Sequence, residues 1–256
     1  MIDLSVRDGI AEIVLNAPQK LNALDEQALA DLGRAYDDAA AAEVRALLLR
    51  GEGRAFCAGR DIAGVSPETD DALGYLGGLV TPLLKKMSAF PAPTFAAAHG
   101  ACLGVGLGLL VATDVVYVAE TAKIGSPFAN LGATLDSGGH WLFTERLGAH
   151  RTLDLIYTAE LMSGSDAVAQ GLFSRAMPEA SLLETTRGIV ARVADGATGA
   201  FAASKELVAR IRDQRLGLWA AIDEENAAQG ELCRSADYAE GFAAFQQKRR
   251  PVFKGA

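Results

Sequence analysis

The chain has 256 residues, 50% of them hydrophobic, and a mean hydropathy of +0.16, which supplies one full core and excludes a disordered chain. Its formal charge of -8 excludes the extended basic field that nucleic acid or an anionic membrane surface needs as a main partner. Any anionic ligand therefore has to meet a local basic cluster.

Residues 2–6 and 10–15 alternate about Asp8-Gly9, a dipeptide that favours two-residue hairpin turns, so the chain is expected to open with a hairpin. Asp25 is placed to cap a helix through Leu29, Leu32 and Tyr36 that ends in alanines 39–42. Residues 44–49 then read as a strand. A glycine-rich loop follows, Gly51-Glu-Gly-Arg-Ala-Phe-Cys-Ala-Gly-Arg-Asp-Ile62. Phe56 breaks the G-x-G-x-x-G pattern, and there is no Gly-Lys-Ser/Thr, which demotes nucleotide-phosphate folds. Residues 66–71 read as a mobile loop, and 72–87 as a helix bent or interrupted around Thr81-Pro82.

Residues 94–98 form an apolar run that leads into Gly100-Ala-Cys-Leu-Gly-Val-Gly-Leu-Gly108 and then 109–112, which reads as strand, glycine turn, helix. The stretch is uncharged apart from His99 and spaces Gly100, Gly104 and Gly108 by four, as a membrane helix would. Dilution by Gly and Ala and the immediate Asp114 favour a soluble core instead. Free N–H groups at such a helix start suit an anion or a developing oxyanion, while the same glycines also serve close packing alone. Further strands are expected at 115–118 and 123–125, an irregular apolar segment at 127–136, and a helix from about Ser137. Ser165 is expected to cap a short turn to Gly171, before a strand at 173–177 and successive helices from Ser181. The change of style near residue 190 divides an α/β core, 1–190, from a helical segment, 191–256.

Cys57, Cys102 and Cys233 are an odd number without paired metal spacing, which fits small apolar residues in a reducing cytosol better than a disulfide framework or zinc site. His99, His140 and His150 lack metal-site spacing, no G-x-S-x-G elbow is present, and the N-terminus carries no signal-peptide pattern. Asp136 stands apart. It lies in Leu131-Gly-Ala-Thr-Leu-Asp-Ser-Gly-Gly-His-Trp141, where apolar neighbours would raise its proton affinity into the useful range, although an aspartate before Ser-Gly-Gly also reads as a helix N-cap. Lys248, Arg249 and Arg250 form the best local basic cluster, at a helix end that also reads simply as a solvated terminus.

Together these stretches resemble the crotonase, or enoyl-CoA hydratase/isomerase, superfamily over nearly the whole chain. Asn16-Ala-Pro-Gln-Lys-Leu-Asn-Ala-Leu24 resembles its early N-x-P-x-x-x-N-A-L segment, Gly53–Asp61 its first oxyanion loop and His99–Gly108 its second. The resemblance implies a ββα spiral with a C-terminal helical trimerisation segment, assembled as trimers or pairs of trimers. It implies an acyl-CoA substrate and no separate cofactor, coenzyme A being part of the substrate. The backbone N–H groups at Ala58 and Val105 match the pair that holds the thioester oxygen. Leu21, Ala23, Arg60, Asp61, Ile62, Gly104, Phe128, Leu131 and Gly132 match substrate-contacting positions. Phe245 and Lys248 match those that receive the adenine and phosphates of coenzyme A, often from a neighbouring subunit.

The family's hydratases activate water with two glutamates, and here those positions fall at Gly108 and Phe128. Neither exchanges a proton. Asp136 is the remaining acid in register, and Asp-Ser-Gly-Gly-His-Trp resembles the branch of ring-1,2-epoxyphenylacetyl-CoA and Δ3,Δ2-enoyl-CoA isomerases, in which one aspartate moves the proton. The expected activity is therefore a cytoplasmic enoyl-CoA isomerase. Alternatives are a hydratase using other groups, an aryl-CoA dehalogenase-like hydrolase, and a non-catalytic acyl-CoA binder. His140, four residues after Asp136, is a candidate second acid or base if both lie on one helix face.

Overall fold

The computed structural model describes residues 1–255. Strands β1 (Ile2–Arg7) and β2 (Ile10–Leu15) form the expected antiparallel hairpin, with Asp8 and Gly9 both at positive φ in the turn. Helix α1 (Glu26–Ala41) follows, and the Asp25 carboxylate accepts the Ala28 N–H as its cap. Leu29, Leu32 and Tyr36 line its buried stripe.

Strand β3 (Ala46–Gly51) starts two residues later than expected, because Arg45 N–H still bonds Gly9 O. The helical segment after Asp71 is not broken at Pro82. A π turn over 74–80 hands on to α2 (Thr81–Ser88), and Thr81 N–H already reaches back five residues to Leu76 O. Pro82 sits in the first turn of α2, where an N–H is dispensable.

The next elements are β4 (Thr94–Ala98), β5 (Ala101–Leu103) and α3 (Val105–Val111), so the uncharged run is strand, strand and short helix. No helix among the described residues is long and apolar enough to cross a membrane. Then come β6 (Val115–Ala119), β7 (Lys123–Gly125), α4 (Gly139–Thr158), β8 (Met162–Ser163), α5 (Gly164–Ala169) and β9 (Arg175–Met177). The cap of α5 is Ser163, whose hydroxyl accepts the Asp166 N–H, and not Ser165, which already lies inside the helix. Residues 173–174 fall outside β9, so that strand is shorter than the expected 173–177.

The main sheet runs β1-β2-β3-β4-β6-β9, parallel except for the opening pair, and a smaller sheet runs β5-β7-β8. The chain visits the main sheet, steps to the smaller one and returns through a helix. Cys57 joins the smaller sheet by a parallel bridge to Cys102, so the loop after β3 makes the same step as β4 to β5. This is the ββα spiral of the crotonase fold. Its core is largely aliphatic, with Leu47, Leu48 and Leu49 almost fully buried between layers. Helices α6 (Glu179–Ala194), α7 (Thr198–Gln214), α8 (Leu218–Leu232) and α9 (Ala236–Gln246) follow, with no further strand among the described residues.

Candidate active site

The two glycine loops meet because one is laced into the other. Cys57 N–H bonds Ala101 O at 2.9 Å, and Leu103 N–H bonds Cys57 O at 3.0 Å. Gly59, at φ +100°, leaves no room for a side chain: a Cβ there would lie 2.9 Å from Leu103 O and 3.6 Å from Val105 N. Fully buried Asn22 ties the early segment to this lacing. Its carbonyl oxygen accepts Ala17 N–H, and its amide donates to Glu52 O and Ala55 O.

The direction of the N–H groups then follows. Leu24 forms a parallel bridge with Arg60, donating to Gly59 O and accepting from Asp61 N. Arg60 N–H therefore points away from Leu24, and it has no acceptor among the described residues. Val105 opens α3 and its N–H has no partner within the helix. Ala58 is different. Its N–H donates to Leu21 O at 3.0 Å and is not free for a ligand, which corrects the expectation that placed an oxyanion donor there. Sequence matching picks the loop, but the side to which each N–H turns depends on the bridge to Leu24.

Asp136 lies outside the helix that follows it. Gly138, at φ +90°, is the N-cap residue of α4, and the Asp136 side chain caps nothing, so the N-cap alternative fails. Its Oδ1 is buried with no hydrogen-bond partner among the described residues, as is the Ser137 hydroxyl. Burial pushes the carboxyl above its ordinary range, opposed in part by the adjacent Ser137 hydroxyl and the Arg60 charge. Because Asp136 precedes the helix, it does not share a helix face with His140, which is exposed and pairs with the Thr134 hydroxyl at 3.3 Å.

The positions that carry glutamate in the resembling hydratases are closed here. A Cβ on Gly108 would lie 2.4 Å from Ser137 Cβ, and the half-buried Phe128 ring comes within 2.9 Å of where a Gly104 Cβ would stand. Beyond Gly108, Ser137 and Gly138 opens a cavity of about 450 Å3 lined also by Leu84, Val111, Trp141 and Arg212.

Arg60 sends its side chain over the Tyr75 ring, 4.3 Å from the ring centre, and grips Asp70 with both arms at 2.6 and 2.9 Å. Tyr75 is fixed by donating to Leu24 O at 2.9 Å. Neither Asp70 nor Tyr75 was marked by sequence pattern, since an irregular loop carries no periodicity. Asp61 accepts from Lys20 at 2.9 Å and from Ala63 N–H, and Ile62 and Leu131 are exposed. Leu21 and Gly132 sit at positive φ beside the same loops, and Ala23 is buried behind them. Phe245 and Lys248 are elsewhere. Phe245 is 85% exposed and lines a separate cavity of about 520 Å3 with Tyr238, Phe242 and Phe253. In the basic cluster Arg249 is committed to Glu240.

The two thiols of the glycine loops are inert by position: burial pushes Cys57 up to about 12, and Cys102 is raised well above the ordinary thiol range for the same reason. Among the described residues no group of three or more His, Cys, Asp or Glu is placed to hold a metal.

The chain belongs to the enoyl-CoA hydratase/isomerase family, whose profile matches residues 5–256, and so to the crotonase superfamily. It is 34% identical over 254 residues to a Rhodobacter capsulatus protein named "Probable enoyl-CoA hydratase", covering 99% of this chain and 98% of the relative. It is 29% identical to the 1,2-epoxyphenylacetyl-CoA isomerase of Escherichia coli, covering 98% and 97%. The crystal structure of an enoyl-CoA hydratase from Bacillus anthracis superposes with a TM-score of 0.90 at 27% identity, over 100% of this chain and 99% of that one.

Proposed function

We propose that this enzyme is an enoyl-CoA isomerase that moves a double bond by proton transfer through Asp136. The observation that carries the reading is the buried, unpartnered Asp136 carboxyl in a site whose glutamate positions are Gly108 and Phe128. A base for carbon acids needs high proton affinity, and burial supplies it against the opposing Ser137 hydroxyl and Arg60 charge. Arg60 and Val105 N–H groups receive the thioester oxygen and stabilise the dienolate formed when Asp136 removes a proton from C2 of a 3-enoyl-CoA. The same carboxyl returns the proton at C4, which leaves the double bond between C2 and C3. The 450 Å3 cavity beside Ser137 gives room for the acyl tail.

A second reading, hydration, is favoured by the names of relatives such as the Rhodobacter capsulatus protein. It would require water to be activated by Asp136 alone. Incubation with 3-enoyl-CoA, 2-enoyl-CoA and a halobenzoyl-CoA, following double-bond shift, hydration and halide release, separates isomerase, hydratase and dehalogenase. Double-bond shift as the dominant outcome upholds the proposal, and dominant hydration overturns it.

Phe245 and Lys248 lie apart from the loops of their own chain, so a role in binding coenzyme A requires a second copy. The exposed Leu218, Trp219, Phe242 and Phe245 support assembly through the C-terminal helices into trimers. Analytical ultracentrifugation tests this.

A further inference from the structure

We infer that Asp70 is a positioning residue of the proton-transfer site: its two-armed grip on Arg60 holds the guanidinium on the Tyr75 ring and away from the Asp136 carboxyl. The inference rests on the role proposed for Asp136.

Arg60 is fixed at both ends. Its backbone is bridged to Leu24, while its side chain lies on Tyr75, which is itself tied to Leu24 O. A guanidinium stacked on a ring still has its donors free, and Asp70 takes two of them in the fork geometry that suits a carboxylate. Both partners are about a quarter exposed, so water screens the pair only in part. The remaining bonds of residues 63–69 are local: Ala63 to Asp61, Val65 to Ile62, and the Ser66, Glu68 and Thr69 contacts. The Arg60–Asp70 pair is thus the tie between this loop and the first glycine loop among the described residues.

The charges around Asp136 make the pair consequential. From the first loop Arg60 faces it and favours its ionised form. From the π turn Tyr75 faces it, with a hydroxyl whose proton is held far above its ordinary range by burial. From α3, Gly108 packs on the adjacent Ser137 and Val111 on Gly138, and neither is ionisable. From α4 the nearest titratable group, His140, is bonded to Thr134. Arg60 is therefore the one cation that tunes this carboxyl among the described residues. Neutralising Asp70 leaves the guanidinium uncompensated and free to leave the Tyr75 ring, which stabilises the carboxylate and weakens the base.

The test uses the full chain with Asp70→Asn, Asp70→Ala, Asp70→Glu and Glu68→Gln. The Asp136 resonance is titrated by carboxyl-13C NMR, assigned with Asp136→Asn, and the pH dependence of kcat/KM for 3-enoyl-CoA is measured alongside. Both neutral Asp70 variants, checked as folded by circular dichroism, should lower the Asp136 midpoint and the acidic limb by about half to one pH unit. Plateau kcat should fall several-fold, as expected for a weaker base. Asp70→Glu should restore both, and Glu68→Gln, which removes a charge from the same loop without touching Arg60, should change neither. An unmoved midpoint in the neutral variants, or an equal shift in Glu68→Gln, overturns the inference. If the wild type fails to isomerise, the NMR midpoint still decides the inference, and the proposed reaction alone falls.

Discussion

Asp136 and Glu240 are the same functional group in two opposite settings. Glu240, near the surface on α9, accepts both arms of Arg249 and the Val252 N–H, and these bonds hold its carboxyl at about 2. Asp136 has a buried oxygen with no partner, and burial pushes it the other way. Glu240 spends its charge holding the C-terminal turn together. Asp136 has no structural bond to make, and that is what leaves it available for chemistry.

The strongest way to break this contrast is to remove the base. Asp136→Asn should lower isomerisation of 3-enoyl-CoA by about 10²- to 10⁴-fold while acyl-CoA still binds, measured by turnover and calorimetry. Full retention of turnover would remove Asp136 from the mechanism. Next in size is the loop geometry opposite the base. Gly59→Ala forces a side chain into a φ of +100° and against Leu103 O, which should cost about 1–3 kcal/mol of stability and about 10- to 100-fold in kcat. A thermal melt and steady-state kinetics read both.

Stability against pH sharpens the contrast further, because the two acids act with opposite signs. The native Asp136 binds its proton more tightly than the unfolded chain does, so its contribution falls as pH rises from about 3.8 through its raised value. Asp136→Asn should therefore melt higher than wild type at neutral pH even as turnover is lost, a change of a few degrees at most. Glu240 is the reverse. Its contribution is present above its unfolded value near 4.5 and is lost as pH falls toward about 2. Glu240→Gln should erase that acid-limb loss and lower the melt slightly at neutral pH, the smallest of these effects, since a near-surface pair is well solvated. Melting curves from pH 2 to 8 check both signs.

Much of this site was legible in the sequence where local rules decide. Asp8-Gly9 makes a hairpin turn and Asp25 a cap because each needs only its immediate neighbours. The glycine loops are visible because their backbones demand glycine, and Asp136 is visible because an acid among apolar residues is rare. What was not legible depends on contacts distant in the chain. Ala58 and Arg60 lie two residues apart, and the bond from Ala58 to Leu21 is what spends one N–H and leaves the other. Ser163 outcompetes Ser165 as a cap because β8 ends there against β7. Asp70 and Tyr75 gain meaning only once the chain has folded back over Arg60.

The contact between Gly108 and Ser137 also constrains how this protein can change by mutation. A glutamate introduced at position 108 would meet Ser137 at its first carbon, so Gly108→Glu alone should abolish a folded site before it offers any new chemistry. Ser137→Gly removes that first contact and relieves a residue held at φ +51°, but the backbone oxygen of residue 137, 2.9 Å from the new carbon, must still shift. The route toward a two-glutamate site is therefore ordered, with the loop beside Asp136 yielding before the helix can. The two positions are therefore expected to be epistatic, which a double-mutant cycle of Gly108→Glu and Ser137→Gly on stability would measure.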